Sequence, residues 1–207
     1  MTSDLPLAEF DRDSPALVDP SPIPSRGEIP DRAVVCFFRD VIEEVCGDGR
    51  AEVVAETRWE SGVHRLYRLR VEGGHVGVFH PGVGAPLAGG VLEEMIATGC
   101  RTFVACGGAG AVIPGLALGH VVVSDSAVRD EGTSYHYLPA GREVAADPAV
   151  TAVLSAVLTE RDVPHVVGKT WTTDAPYRED RRWRGWRAAP AAPRPRSPRR
   201  APRARRG

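Results

Sequence analysis

The stretch Val104–Tyr137 reads VACGGAGAVIPGLALGHVVVSDSAVRDEGTSYHY. An apolar run stops at Gly107, Gly108 and Gly110, resumes at Val121–Val123 and ends in a polar cluster. The pattern predicts a buried strand with a bare exit. Glycine has no Cβ, so another molecule can come close to the main chain and its N–H groups there. In open α/β sheets ligands sit outside the carboxyl ends of the strands. The glycine exit therefore bears on both the fold and the site. Taken alone it fits a tight turn packed on a neighbour equally well.

Working outward, AVVCFF (33–38) is a short β-rich apolar run and predicts a buried strand, with RDVIEEVC behind it as a helix. AEVVAETRWE and HRLYRLRVEG alternate apolar and polar residues, as half-buried antiparallel strands do. HVGVFH (75–80) and TFVAC predict strands, and so does GHVVVSD. PLAGGVLEEMIATGC (86–100) has helical spacing through Leu87, Val91, Met95 and Ile96, with Gly99 as its C-cap. DPAVTAVLSAVLTERDV (147–163) predicts a helix capped by Asp147, with Pro148 in the first turn and Val150, Val153, Leu154, Val157 and Leu158 on one face. PHVVGKTWTTD begins as a strand and turns polar. Strands alternating with helices predict a mainly parallel sheet covered on both faces. With the two antiparallel segments added, the expectation is an α/β fold with a mixed central sheet flanked by helices.

The hydrophobic content of 43% and charged content of 26% are those of a globular chain. No apolar run reaches the roughly 20 residues that span a bilayer. The start, MTSDLPLAEFDRD, lacks the basic and apolar regions of a secretory signal. Cys36, Cys46, Cys100 and Cys106 show no CxxC spacing and read as buried free thiols in a cytoplasmic protein. The charge is split along the chain. Residues 1–180 hold 15 basic against 27 acidic side chains, a formal −12, and residues 181–207 hold 11 arginines. An acidic body argues against nucleic-acid binding by that body. Residues 1–30, with six prolines, read as a poorly ordered leader, 31–180 as the domain and 181–207 as a disordered Arg/Pro-rich tail.

The chain has no GxGxxG, GxxxxGK[ST] or GxSxG, and its histidines lack metal-site spacing. HPGVGAP (80–86) is a second Gly/Pro loop that opens a helix, and helix N-termini attract anions. Arg129, Glu131, Thr133, Ser134 and His136 could bond a sugar or a base, or form a solvated loop with internal pairing. KTWTTD (169–174) puts Thr172, Thr173 and Asp174 at another strand end, with Trp171 read as core.

Three segments, HPGVGAPLAGGVLEEMIATGC, VACGGAGAVIPGLALGHVVVSDSAVRDEGTSYHYLP and VGKTWTTDAPYRED, together resemble the nucleoside phosphorylase superfamily, in its uridine phosphorylase and hexameric purine nucleoside phosphorylase branch. The resemblance covers roughly 33–180. It implies cleavage of the N-glycosidic bond of a purine or pyrimidine nucleoside, with inorganic phosphate as co-substrate and no other cofactor. A nucleosidase using water is the alternative, and a non-catalytic remnant with a basic interaction tail is a third reading. The resemblance implies that Gly107, Gly108, Ala109 and Gly110 lie under base and sugar, and that Thr172, Thr173 and Asp174 line the base pocket. Gly82 and Gly84 correspond to a loop beside the site, and Arg39 could supply charge for phosphate. No catalytic residue is assigned. The resemblance also implies a cytoplasmic homo-oligomer, a dimer-based hexamer when complete.

The sequence departs from that family at several points. Ala105 and Gly108 stand where its phosphorylases carry an arginine and a hydroxyl residue. The early Gly-Asp-Pro loop appears only as Phe38-Arg39-Asp40, and Pro176 stands where an aromatic residue often faces the base. The family's Glu-Met-Glu motif is missing after Asp180. The arginine bias and the stretch RRWRGWRAAPAAPRPRSPRRAPRARRG suggest a shifted reading frame, hence a fold incomplete at its C-terminus. A native basic tail that binds RNA or an acidic partner is the rival reading.

Overall fold

The computed structural model describes residues 5–116 and 118–179, which fall into two compact units. The first holds residues 5–110 together with Arg129–Arg142 and Thr172–Pro176. The second holds, among the described residues, those of Ala111–Val128, Glu143–Trp171 and Tyr177–Glu179. The tail expected at 181–207 lies outside the described residues.

The first unit is built on a five-stranded sheet. Its strands are β1 (Arg32–Cys36), β2 (Ala51–Trp59), β3 (Gly62–Val71), β4 (Gly74–Phe79) and β5 (Thr102–Cys106). Their order is β2-β3-β4-β1-β5. β2, β3 and β4 form an antiparallel meander, and β4, β1 and β5 run parallel. The pairing is thus half antiparallel, where the alternation of strands and helices alone predicted mainly parallel. The turns at Glu60–Ser61 and Glu72–Gly73 are too short for anything but hairpins. The wider reading, an α/β fold with mixed sheet, agrees with the structure.

Helices α1 (Arg39–Cys46) and α2 (Ala85–Thr98) cover this sheet. Alternation along β1 sends Ala33 and Val35 into a core with Phe79, Leu66, Val91, Met95 and Cys100. Cys36 goes to the other face with Ile42, Cys46 and Val78, where Val34 packs alongside. The register of β2 slips between Val53 and Ala55, and this bulge lets the consecutive Val54 and Ala55 share one core. The proline-rich leader also contributes here. Ile23 is buried in the core, its N–H donates to Thr98 Oγ1 at 2.9 Å, and Ser25 bridges to Ala55.

The second unit carries a three-stranded sheet in the order β7-β6-β8 and helix α3 (Pro148–Glu160). β6 is Val121–Asp130, β7 Glu143–Ala145 and β8 His165–Thr173. β6 runs five residues beyond the predicted GHVVVSD because Ser126, Ala127 and Val128 pair antiparallel with β7, a strand too short and polar to signal itself. Asp147 caps α3 as expected, accepting from Ala149 N–H at 2.7 Å and Val150 N–H at 3.3 Å. The apolar face read into α3 is not buried: the helix has no buried residue, and Val150, Val153 and Val157 are exposed. Among the described residues, no helix is long and apolar enough to cross a membrane.

Candidate functional site

Three parallel strands, β4, β1 and β5, lie side by side, so their carboxyl ends open on one edge of the sheet. Each end leads into a segment singled out from the sequence. β1 leads to Phe37, Phe38 and Arg39, β4 to His80–Gly84, and β5 to Gly107–Gly110. The strand predicted over 33–38 stops at Cys36 because its ladder partner stops there. Phe37 N–H makes the last bond, to Cys106 O at 3.0 Å, and β5 then turns into the glycines. Phe37 and Phe38 are left 40% and 39% exposed instead of buried.

Those two rings occupy part of the space the glycines leave. A Cβ at Gly107 would lie 3.3 Å from the Phe37 side chain, and one at Gly108 would lie 3.4 Å from the Phe38 ring. At Gly110 nothing lies within 4 Å. The bare exit thus has two characters. It is backed by aromatic rings at 107–108 and open at 110. Sequence reasoning missed the two phenylalanines because an apolar pair at the end of an apolar run carries no signal separating a buried position from a crevice wall.

Arg39 is the first residue of α1; it is exposed, and no ion pair holds it among the described residues. Gly84, exposed at φ +95°, is the N-cap of α2, and Pro86 brings no N–H to the first turn. Gly82 is different. It is buried at φ +87°, and its N–H donates to His80 Nδ1 at 2.9 Å, so this amide is already engaged. A Cβ on Gly82 would come within 2.3 Å of Leu87 Cδ2, so glycine there serves close packing on α2 as well as backbone conformation. His80 titrates below the usual histidine range. Burial is the main cause, the Arg39 and His64 charges add to it, and a bond to the Phe37 main chain opposes it.

A second cluster forms where β6 and β8 end. Gly132 N–H donates to Asp174 Oδ2 at 3.0 Å, and Asp174 N–H donates to Asp130 O at 3.2 Å. Thr173 Oγ1 accepts from Ala175 N–H at 3.1 Å. Thr172 is exposed. A cavity of about 530 Å³ adjoins Asp174, lined also by Leu5, Leu7, Arg129, Glu131 and Tyr135. None of Gly82, Gly84 and Gly107–Gly110 lines it. The structure thus puts Arg39, Gly82, Gly84 and Gly107–Gly110 at the carboxyl ends of the parallel strands, and Thr172, Thr173 and Asp174 at the end of β8.

The polar loop between β6 and β7 spends its side chains on itself. Arg129 is buried; its Nε donates to Ser134 Oγ at 2.8 Å, and Nη1 and Nη2 donate to Pro139 O and Leu138 O. Its guanidinium lies 4.3 Å from the Tyr135 ring centroid. Glu131 accepts from both Ser134 N–H and Ser134 Oγ–H. Arg129, Glu131 and Ser134 thus hold the loop together, the internal pairing expected of them. The loop rests on α2, where a Cβ at Gly89 would meet Thr133 Cγ2 at 3.5 Å and Tyr137 Oη at 3.8 Å. Burial, then a hydrogen bond to Glu93, raises the Tyr137 phenol above its usual value.

All four cysteines are free. Cys36, Cys46 and Cys100 are buried as expected, whereas Cys106, the residue before Gly107, is exposed. Partial burial and contact with Cys36, its partner in the β1–β5 register, push the Cys106 thiol up to about 11. Among the described residues, no group of three or more His, Cys, Asp and Glu side chains is placed to hold a metal ion.

A family model described as the phosphorylase superfamily matches residues 31–195, most of the chain. The chain belongs to the phosphorylase superfamily. Within it, the chain is 34% identical over 153 residues to a uridine phosphorylase of Thermococcus kodakarensis, covering 70% of this chain and 55% of that one. It is 30% identical over 140 residues to a guanosine phosphorylase of Halorubrum lacusprofundi, covering 68% and 56%. The fold matches that of a Toxoplasma gondii purine nucleoside phosphorylase solved in complex with immucillin-H, with a TM-score of 0.64 at 23% identity. That match covers 73% of this chain and 60% of the other. This superfamily chain spans about half the length of the curated relatives it matches.

Proposed function

We propose that this chain carries the nucleoside-binding part of a phosphorylase that cleaves the N-glycosidic bond of a nucleoside, with inorganic phosphate as co-substrate. The observation that carries this reading is the meeting of Arg39, the α2 N-terminus and the 107–110 glycines at the carboxyl ends of three adjacent parallel strands. The chain's relatives named uridine phosphorylase and guanosine phosphorylase support it.

Such a bond breaks through a sugar that gains cationic character while the base leaves with the bonding electron pair. A site for it must hold an anionic nucleophile below the sugar and keep the flat ligand close to main chain. Arg39, an uncommitted guanidinium, and the exposed amide of Gly84 at the start of α2 are suited to the phosphate. Gly107, Gly108, Ala109 and Gly110 form the floor, backed by Phe37 and Phe38, and Gly110 leaves the closest approach. Thr172, Thr173 and Asp174 are assigned to the base. Gly82 acts through the shape of its loop, since His80 takes its N–H. Residues 31–180 form the functional domain, between a leader of 1–30 and a tail of 181–207, in a cytoplasmic homo-oligomer.

The test is base release from uridine, guanosine, inosine and methylthioadenosine by the purified chain, with and without phosphate. Release that requires phosphate is expected. Release that ignores phosphate, or none from any nucleoside, overturns the proposal.

A further inference from the structure

His80 uses its imidazole on two sides. Nδ1 accepts from Gly82 N–H at 2.9 Å, within the loop that opens α2. The Phe37 ring, in the segment that opens α1, stands edge-on to the imidazole with centroids 6.3 Å apart. A main-chain N–H can only donate, so Nδ1 must be bare. The neutral imidazole with its proton on Nε2 meets this demand. The His80 carbonyl is held in turn by His64 Nδ1 at 3.1 Å, and His64 Nε2 bonds Ser61 Oγ at 3.2 Å. We infer that His80 is a positioning residue, a neutral tie joining the loop before α2 to the segment before α1 and so fixing the spacing of Gly82–Gly84 relative to Arg39.

The groups facing His80 agree with this role. Arg39 on α1 and His64 on β3 oppose a second proton, and burial opposes it more strongly. A protonated ring would set an Nδ1–H against Gly82 N–H and open the tie. Because folding disfavours that proton, the unfolded chain takes it up first, near pH 6.5. The tie's contribution to stability is present above that value and is lost as pH falls toward the lower titration point of the folded ring. The consequence for phosphate rests on the function proposed above, but the tie itself does not.

Amide hydrogen exchange at Gly82 in the full chain, corrected for the intrinsic pH dependence of exchange, reads the tie directly. In the unaltered protein protection should hold above neutral pH and fall as His80 protonates. His80→Ala should lower protection about fivefold at every pH, the loss of one hydrogen bond. His80→Asn keeps an acceptor for an N–H two residues on and cannot titrate. It should restore protection and flatten the pH profile. Inorganic phosphate, titrated by calorimetry, should bind about fivefold more weakly to His80→Ala than to His80→Asn. A Gly82 profile in the unaltered protein that is flat with pH, or unchanged protection in His80→Ala, overturns the inference. Should His80→Ala fail to fold, the unaltered protein and His80→Asn still decide. If phosphate binds to no variant while the exchange pattern holds, the tie stands and the proposed reaction falls.

Discussion

The two units of the chain use apolar residues in opposite ways. In the first, Val54, Leu66, Phe79, Val91, Met95 and Cys100 are fully buried, and both sheet faces are covered. In the second, Val123 and Val128 are the only buried hydrophobic side chains among the described residues, while Val150, Val153, Val157 and Val167 stand exposed. Both segments have the apolar periodicity of globular elements. Periodicity states which face wants burial. Whether that face is buried depends on a second surface, and the first unit supplies one from its own helices.

The largest test of this contrast is a pair of truncations. Leu66→Ala, at a site with 0% exposure, should cost about 2–5 kcal/mol in chemical denaturation. Val153→Ala, at 61% exposure, should change stability by less than about 0.5 kcal/mol. A large loss at Val153 would mean that α3 is covered in solution, and the contrast would fail.

A finer test uses two glycines. In the first unit, Gly90 on α2 faces Trp59, whose indole N–H donates to Glu94 Oε2 at 3.0 Å. A Cβ there would lie 2.5 Å from Trp59 Cη2. Helix propensity favours Gly90→Ala by about 1 kcal/mol. Overpacking costs roughly 1–3 kcal/mol. The net should be a loss of up to about 2 kcal/mol with a shift in tryptophan emission. Gly168 on β8 has nothing within 4 Å of the place a Cβ would take, and Gly168→Ala should be neutral or stabilising by about 0.5 kcal/mol. The smallest effect concerns the cap. Asp147→Ala should cost about 1 kcal/mol, read as lost helix signal from α3 before the first unit melts. If α3 melts only with the first unit, the two are energetically one body and the comparison loses its meaning.

Much of the fold was legible because it depends on local pattern. The α1 and α2 spans, the antiparallel alternation of 51–71 and the Asp147-Pro148 start of α3 all follow from side-chain spacing and capping chemistry. The site was legible in part. The glycines at 107–110 and Gly84 mark where main chain is bare, and strand ends are where such bareness matters. Phe37, Phe38 and His80 were not legible. Their roles depend on β1 lying between β4 and β5, and strands 38 or more residues apart in sequence do not announce that they are neighbours. The polar loop at 129–136 left two readings open for a related reason: donors and acceptors that look available in a sequence can satisfy one another once a turn brings them together.

By itself, then, the sequence determined the secondary elements, the resemblance to nucleoside phosphorylases and the positions where the main chain is exposed, all of which depend on residues near one another in the chain. Strand order, the engagement of Gly82 by His80, the aromatic backing of Gly107 and Gly108 and the bare face of α3 were decided only in three dimensions. Each depends on which distant surface arrives to share a hydrogen bond or exclude water.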